Sequence, residues 1–361
     1  MHIQRAKSLI YSPDPELSEN LAFQLGFQQA VDGLVAVGCP VGAPEFVAAK
    51  TLAAAEGVQQ LILTLTSLPV PVQDKLLLLR KSLQVKMAHF ARCVPYELAE
   101  SSFQKTESAV LAAFLALVGR KEDDLDVEQL YLPLRKGGVG LLELTAHQGV
   151  VSKAGYLAAA ALAQSALDGG ASAFQPLSAD GISSLSNCWE TVAAFCLSAE
   201  QHEEPRSMTL QEALTAGLLQ KLQRKASGIA QDKRHSQLLG KYRAMLGDAA
   251  TRDFAQEHLA RLHSLECGVG TCWLEVKPTK DQWALDDATV KSALRFMLGV
   301  SPGPPHQACF QCACGYRGSD GHHAMSCEKL QGSRILRHNH VQSLVQCGAA
   351  MAGHSSSIEP Q

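Results

Sequence analysis

From Pro44 to Val94 apolar residues return with the period of a helix that turns one face to a core. They fall at Leu61, Leu65 and Leu68, pause at Pro69 and Pro71, and resume at Leu76, Leu77, Leu79, Leu83, Val85, Met87 and Phe90. Two helical stretches divided by a proline break are predicted, the second stopped by Pro95. Phe103 to Val118 predicts another helix. Further on, the pattern predicts a helix of small residues from about His147 to Leu167, one over Cys188 to Ala199, and one over Leu210 to Ala226. In the last, Leu214, Leu218, Leu219 and Leu222 line the apolar side. Strands are expected only near the N-terminus, at Ser8 to Ser12 and at the run Leu34 to Val37, which Gly38 ends. Pro40-Val41-Gly42 then reads as a turn into a helix beginning near Pro44. The class is mainly α: a helical bundle with a short N-terminal β element.

The connections carry their own signals. LPLRKGGVGLL, Leu132 to Leu142, has adjacent glycines for a tight, close-packed reversal and leucines to anchor it. The acidic run Glu122 to Asp126 reads as a solvated turn. Asp286 and Asp287 immediately precede ATVKSALRFMLGV, so one of them is expected to cap that helix. Neither acidic pair has the rigid, cleft-facing setting that phosphoryl chemistry on Mg2+ requires. His258 and His263 lie on a polar helix and read as surface histidines. The stretch GGASAFQPLSADGISSLSN is a loop by composition and marks a subdomain seam.

Composition narrows the picture. The chain has 361 residues, 46% hydrophobic and 19% charged, enough for one large or several modest domains. Its eleven cysteines are irregularly spaced and the N-terminus shows no apolar signal core, which points to a reducing, intracellular compartment. No apolar run approaches the length of a membrane span. A net charge of -3 and a pI near 6.5 exclude a chain that binds nucleic acid everywhere, so any such contact must be local. Between Leu219 and Leu246 stand Lys221, Arg224, Lys225, Lys233, Arg234, Lys241 and Arg243 against the single acid Asp232, a balance of +6. Such a cluster suits phosphate backbones, and a solvated helical face is the alternative.

Residues 309–338, CFQCACGYRGSDGHHAMSCEKLQGSRILRH, crowd thiols and imidazoles around a glycine-rich turn. A structural zinc ion takes a closed tetrahedron of such ligands. The set read from the spacing is Cys312, Cys314, His323 and Cys327, with Cys309, His322 and His338 as alternates. The other reading is a reduced loop that binds no metal, in an intracellular helical scaffold. A zinc hydrolase or deaminase is disfavoured, since no Pro-Cys-x-x-Cys is present to complete a deaminase-type ligand set. Phosphate loops and His-Glu-x-x-His are absent as well.

Six stretches, AKSLIYSPDP, GLVAVGCPVG, LLLLRKSLQVKMAHFARCVP, LPLRKGGVGL, the segment from Trp273 through ALRFMLGV, and CACGYRGSDGHHAMSC with RILRHN, stand in one order along the chain. In residues and order they resemble the C-terminal part of non-LTR retrotransposon reverse transcriptases of the restriction-like-endonuclease type. The resemblance implies a remnant of polymerase palm with a primer-grip-like strand over 1–43 and a thumb-like helical region over 44–170. It further implies a helical linker with the basic patch over 171–300, a zinc knuckle over 301–345, and a disordered or truncated tail over 346–361. The family's catalytic aspartate hairpin and its nuclease residues have no counterpart here, so no active-site residue carries over. The expectation is a non-catalytic part of an RNA-directed DNA polymerase, nuclear if it works as that family does. It would hold RNA or DNA weakly and in a salt-sensitive way, with Arg334 and Arg337 beside the knuckle assisting the basic patch.

Overall fold

A computed structural model of the chain describes residues 8–145, 153–154, 189–192, 222–266, 269–277, 284–300, 310–311, 314 and 317–318. The chain divides into two compact units, Met1–Asp287 and Ala288–Gln361. Among the described residues the architecture is mainly helical, with short strands near the N-terminus and one small hairpin in the second unit. No described helix is long and apolar enough to cross a membrane.

The first unit opens with β1 (Leu9–Ile10), α1 (Pro15–Leu25) and β2 (Gln28–Gln29), the two strands pairing in parallel. Asp14 starts α1 by accepting from the amides of Glu16 and Leu17 at 3.0 and 3.3 Å, and Gly26, at φ 66°, closes it in the left-handed region. β3 (Gly33–Ala36) and β4 (Cys39–Gly42) form an antiparallel hairpin. The predicted turn at Pro40-Val41-Gly42 is thus a strand. The reversal comes earlier, at Val37 and Gly38, with φ 51° and 79°. Positive φ at both central residues matches the right-handed twist of the flanking strands.

α2 (Pro44–Ser67) and α5 (Tyr96–Val118) pack against each other more extensively than any other described pair of helices. α2 buries Val47, Thr51, Ala55, Val58, Ile62 and Leu65, and α5 buries Ala99, Phe103, Thr106, Val110, Phe114 and Leu117. Both runs keep the three-and-four spacing of one helical face. Thr51 and Thr106 return their hydroxyls to carbonyls one turn back in their own helices, at 2.7 and 3.0 Å, so the interface carries no unmet polar group from them. α5 starts at Tyr96, seven residues before the expected Phe103, with Pro95, at φ -55° and ψ 135°, standing just outside its first turn. Between the pair run α3 (Val72–Leu78), a π-turn over Leu79–Leu83 and α4 (Gln84–Cys93).

The glycine reversal after α6 (Val127–Tyr131) behaves as its composition predicts. Gly138 packs so closely that a Cβ there would lie 1.9 Å from the Leu132 carbonyl oxygen, which only glycine tolerates. Two buried glutamines hold the loop. Gln129 donates to the Gly137 carbonyl at 2.8 Å, while Gln84 donates to the Gly140 carbonyl and accepts from the Leu142 amide. Leu132 then joins Leu238, Leu239, Tyr242 and Leu262 in a core shared with α7 (Leu222–Met245) and α8 (Arg252–Leu265). α9 (Asp287–Met297) begins at the last residue of the first unit, continues into the second, and is closed by Gly299 at φ 76°. β5 (Phe310–Gln311) and β6 (Arg317–Gly318) pair antiparallel there.

Candidate nucleic-acid interface

α7 carries the basic cluster and is sorted into two faces by its spacing. Ala226, Ala230, Arg234, Leu238 and Tyr242 recur every four residues and are all buried. The opposite side presents Lys225, Lys233 and Arg243 to solvent, with Ser236 and Gly240 also exposed between the last two. Arg224 is exposed as well. Lys221 lies outside the described residues.

Arg234 sits in the buried row and does not face solvent. Its Nε donates to Glu128 Oε2 at 2.7 Å, its Nη2 to Glu143 Oε2, and its guanidinium lies 5.3 Å from the centre of the Tyr131 ring. A buried guanidinium needs such partners, because an unpaired one forfeits its hydration with no return. Lys241 is also engaged, donating to Asp126 Oδ2 at 2.7 Å. The same carboxylate oxygen accepts from the Tyr242 hydroxyl at 3.2 Å, and burial together with Asp126 pushes that phenol up to about 12. Asp126 therefore departs from the solvated turn expected of it, its side chain being 9% exposed. Glu122, Asp123 and Asp124 do remain exposed. Lys136 covers Asp232, the one acid within the cluster, at 2.5 Å.

α8 backs this helix with a second polar layer. His258 stacks on Tyr242 with ring centres 4.7 Å apart and planes 14° apart, and touches Phe254 at 4.1 Å. Its Nδ1 lies 3.0 Å from Arg261 Nη2, whose guanidinium also donates to Gln129 Oε1. Burial, then the neighbouring Arg261 charge, pushes the His258 imidazole down to about 4, and burial pushes Arg261 down to about 10. His258 is thus part of the packing and not a surface histidine. His263 is half exposed, 3.1 Å from Glu266. His235, on α7, is held below its ordinary value by burial and by Lys136.

The acidic pairs do not converge on a site. Asp123 and Asp124 stand on a short exposed 3-10 turn, where Asp124 accepts from the Lys121 amide. Asp287 opens α9, yet its Oδ1 accepts from the amide of Val72 at 2.8 Å. It caps the first turn of α3, which Pro71 leaves without a side-chain cap. Among the described residues no group of three or more His, Cys, Asp or Glu is arranged to hold a metal ion. Cys314 is exposed at a turn between β5 and β6. Cys309, Cys312, His322, His323, Cys327, Arg334, Arg337 and His338 lie outside the described residues.

The spacing of α7 held a clue to Arg234, which falls in register with two alanines, a leucine and a tyrosine. Its acidic partners could not be found that way, since Glu128 and Glu143 come from 106 and 91 residues upstream. No family model matches the chain, and no curated protein or solved structure matches it.

Proposed function

We propose that the chain holds RNA or DNA by its phosphate backbone and performs no chemistry on it, as a helical part of the kind found in the non-LTR retrotransposon reverse transcriptases that it resembles. One observation carries the reading: Lys225, Lys233 and Arg243 stand exposed along the outer face of α7 while its other side is locked into the fold. Arg224 adds to the outer charge, whereas Arg234 and Lys241 answer the fold's own carboxylates. With so few cations, binding is weak and falls as salt rises, because each neutralised phosphate releases counterions. Phosphate contacts of this sort position a protein without reading bases.

The proposal includes one structural zinc in the second unit, with Cys312, Cys314, His323 and Cys327 as ligands and Cys309, His322 and His338 as alternates. The β5–β6 hairpin supports it, since the pairing Phe310 with Gly318 and Gln311 with Arg317 folds the cysteine-bearing loop back on itself. Zinc would supply folding energy there and no catalysis.

Fluorescence anisotropy on the purified full chain with a labelled oligonucleotide tests the reading. Affinity should fall steeply between low and physiological salt, and Lys225→Glu, Lys233→Glu and Arg243→Glu together should remove most of it. Binding that ignores salt, or that survives the triple change, would refute the assignment to α7. Metal analysis should find one zinc per chain, lost in Cys312→Ser with Cys327→Ser.

A further inference from the structure

We infer that the outer edge of β3 takes an extended, basic peptide as a third strand of the β3–β4 hairpin. Backbone geometry identifies the edge. The Ala43 amide donates to the Asp32 carbonyl at 2.7 Å just beyond the paired strands, and antiparallel neighbours alternate between pairs that exchange hydrogen bonds and pairs that do not. Counted inward from that bond, Leu34 with Val41 and Ala36 with Cys39 are bonded pairs, while Gly33 with Gly42 and Val35 with Pro40 are not. Pro40, which has no N–H to exchange, fits its place. The N–H and C=O of Gly33 and Val35 therefore point away from β4, and among the described residues none bonds to them there.

The other side of the hairpin is covered, since β4 packs against α2 and α4 and buries Cys39 and Pro40. β3 is open. Val35 is 52% exposed, and Val31 and Val37, before and after the strand, are 77% and 95% exposed. Proteins commonly blunt such an edge with Lys, Pro or a bulge. The run from Val31 to Val37, VDGLVAV, contains neither residue, and β3 pairs with β4 without a bulge. An incoming strand can bond to both backbone groups of Val35 and lay an apolar side chain against its isopropyl group. The hairpin is also preset: His89 of α4 places Nε2 3.2 Å from the Val37 carbonyl oxygen at its tip. A strand that is already ordered loses little on pairing.

Charge selects the partner. From Ser8 to Ala49 the chain holds Asp14, Glu16, Glu19, Asp32 and Glu45 and no Lys, Arg or His. Asp32 and Glu45 are exposed at the open end of the hairpin, one just before β3 and the other in the first turn of α2, which follows β4. Lys50, the next cation along the chain, lies 5.5 Å from the centre of the Phe46 ring. A peptide with Lys or Arg beside Asp32 gains attraction, whereas a second copy of β3 brings like charge and a phosphate backbone is repelled.

The experiment measures anisotropy of the full chain on a labelled peptide of ten alternating Lys and Val residues at low salt. One control has every backbone amide of that peptide methylated, which keeps the charge and removes the donors; the other has Glu in place of Lys. The first peptide should bind at least about ten-fold tighter than either control. Val35→Pro removes an outward donor and no bond of the hairpin, so with circular dichroism unchanged it should bring binding down to that of the methylated control. Asp32→Lys should weaken binding about five-fold. Where Val35→Pro disturbs the fold, the methylated peptide still decides. Equal binding of that control reduces the contact to charge and overturns the inference, and equal binding of the Glu peptide, or no binding of the Lys peptide, does the same. A dimer in sedimentation that Val35→Pro dissolves gives the edge to a second copy and likewise overturns it.

Discussion

The α2–α5 pair meets through Ala55, Val58 and Ile62 on one side and Phe103, Val110 and Phe114 on the other, all at most 4% exposed. The α7–α8 pair shares a smaller apolar core and is surrounded by charge: Arg234 on Glu128 and Glu143, Lys241 on Asp126, and Arg261 between Gln129 and His258. The first interface depends mainly on area removed from water, with one exposed ion pair across it, Lys105 on Glu56 at 2.9 Å, and so should respond little to pH and salt. The second keeps buried or half-buried charges in place by hydrogen bonds and is sensitive to both. That sensitivity follows from Arg234, a buried guanidinium whose lost hydration is offset only by its partners Glu128 and Glu143.

Truncating the apolar pair should have the largest effect. Phe103 is fully buried and stacks on Tyr96 with ring centres 6.3 Å apart. Phe103→Ala removes a large side chain from a packed interior and should cost about 4 kcal/mol in denaturant unfolding. The loss should be the same at neutral and mildly acidic pH. A loss that changes markedly with pH would mean that charge, and not packing, governs this interface.

The two pairs also differ in how far they could be read in advance. The helical period of α2 was visible in the sequence, but its buried face was not: of Leu61, Leu65 and Leu68 only Leu65 is buried, Leu61 and Leu68 being 44% and 42% exposed, and the buried row runs instead through Val47, Thr51, Ala55, Val58 and Ile62. The proline break and the close-packed glycine reversal were visible for a local reason, that backbone geometry is set by the residue itself. What escaped is long-range and polar. Asp287, at the start of its own helix, also offers its carboxylate to the first turn of α3, 215 residues upstream. Asp126 looked solvated because its neighbours are acidic, yet the partners that bury it come from α7. Local sequence reports which groups want a partner and not which partner the fold delivers.

A weaker effect should come from His258, and its sign follows from its surroundings. The folded imidazole is held down at about 4, against an ordinary value of about 6.5, by burial and by Arg261. The neutral ring accepts from the guanidinium, whereas a protonated ring would face it with like charge. The unfolded chain therefore takes up the proton first. This contribution is complete above about pH 6.5, declines as pH falls, and is gone below about pH 4. The full difference would be worth about 3 kcal/mol, and solvent around a half-exposed ring reduces it to about 1–2 kcal/mol. Urea midpoints from pH 7.5 to 4 should show the decline in the native chain, with a shallower one in His258→Gln. Parallel curves for the two would place the acid sensitivity elsewhere, for example at Glu275, whose carboxyl Lys81 and Arg80 hold below its ordinary value.

The smallest effect separates what belongs to the helices from what belongs to their interfaces. Gly57 in α2 and Gly228 in α7 both lie within helices, and a Cβ built on either meets nothing within 4 Å. Glycine costs a helix interior about 0.5–1 kcal/mol relative to alanine, because the unfolded chain loses more freedom on ordering it. Gly57→Ala and Gly228→Ala should each raise stability by about that amount in denaturant melts, in the apolar pair and the charged pair alike. The equality is the informative result. Since neither added methyl touches a neighbour, the gain reports backbone propensity alone, and the contrast between the pairs then resides wholly in their side-chain contacts. If Gly228→Ala gained nothing while Gly57→Ala gained the expected amount, α7 near Gly228 would have to be less firmly helical than α2.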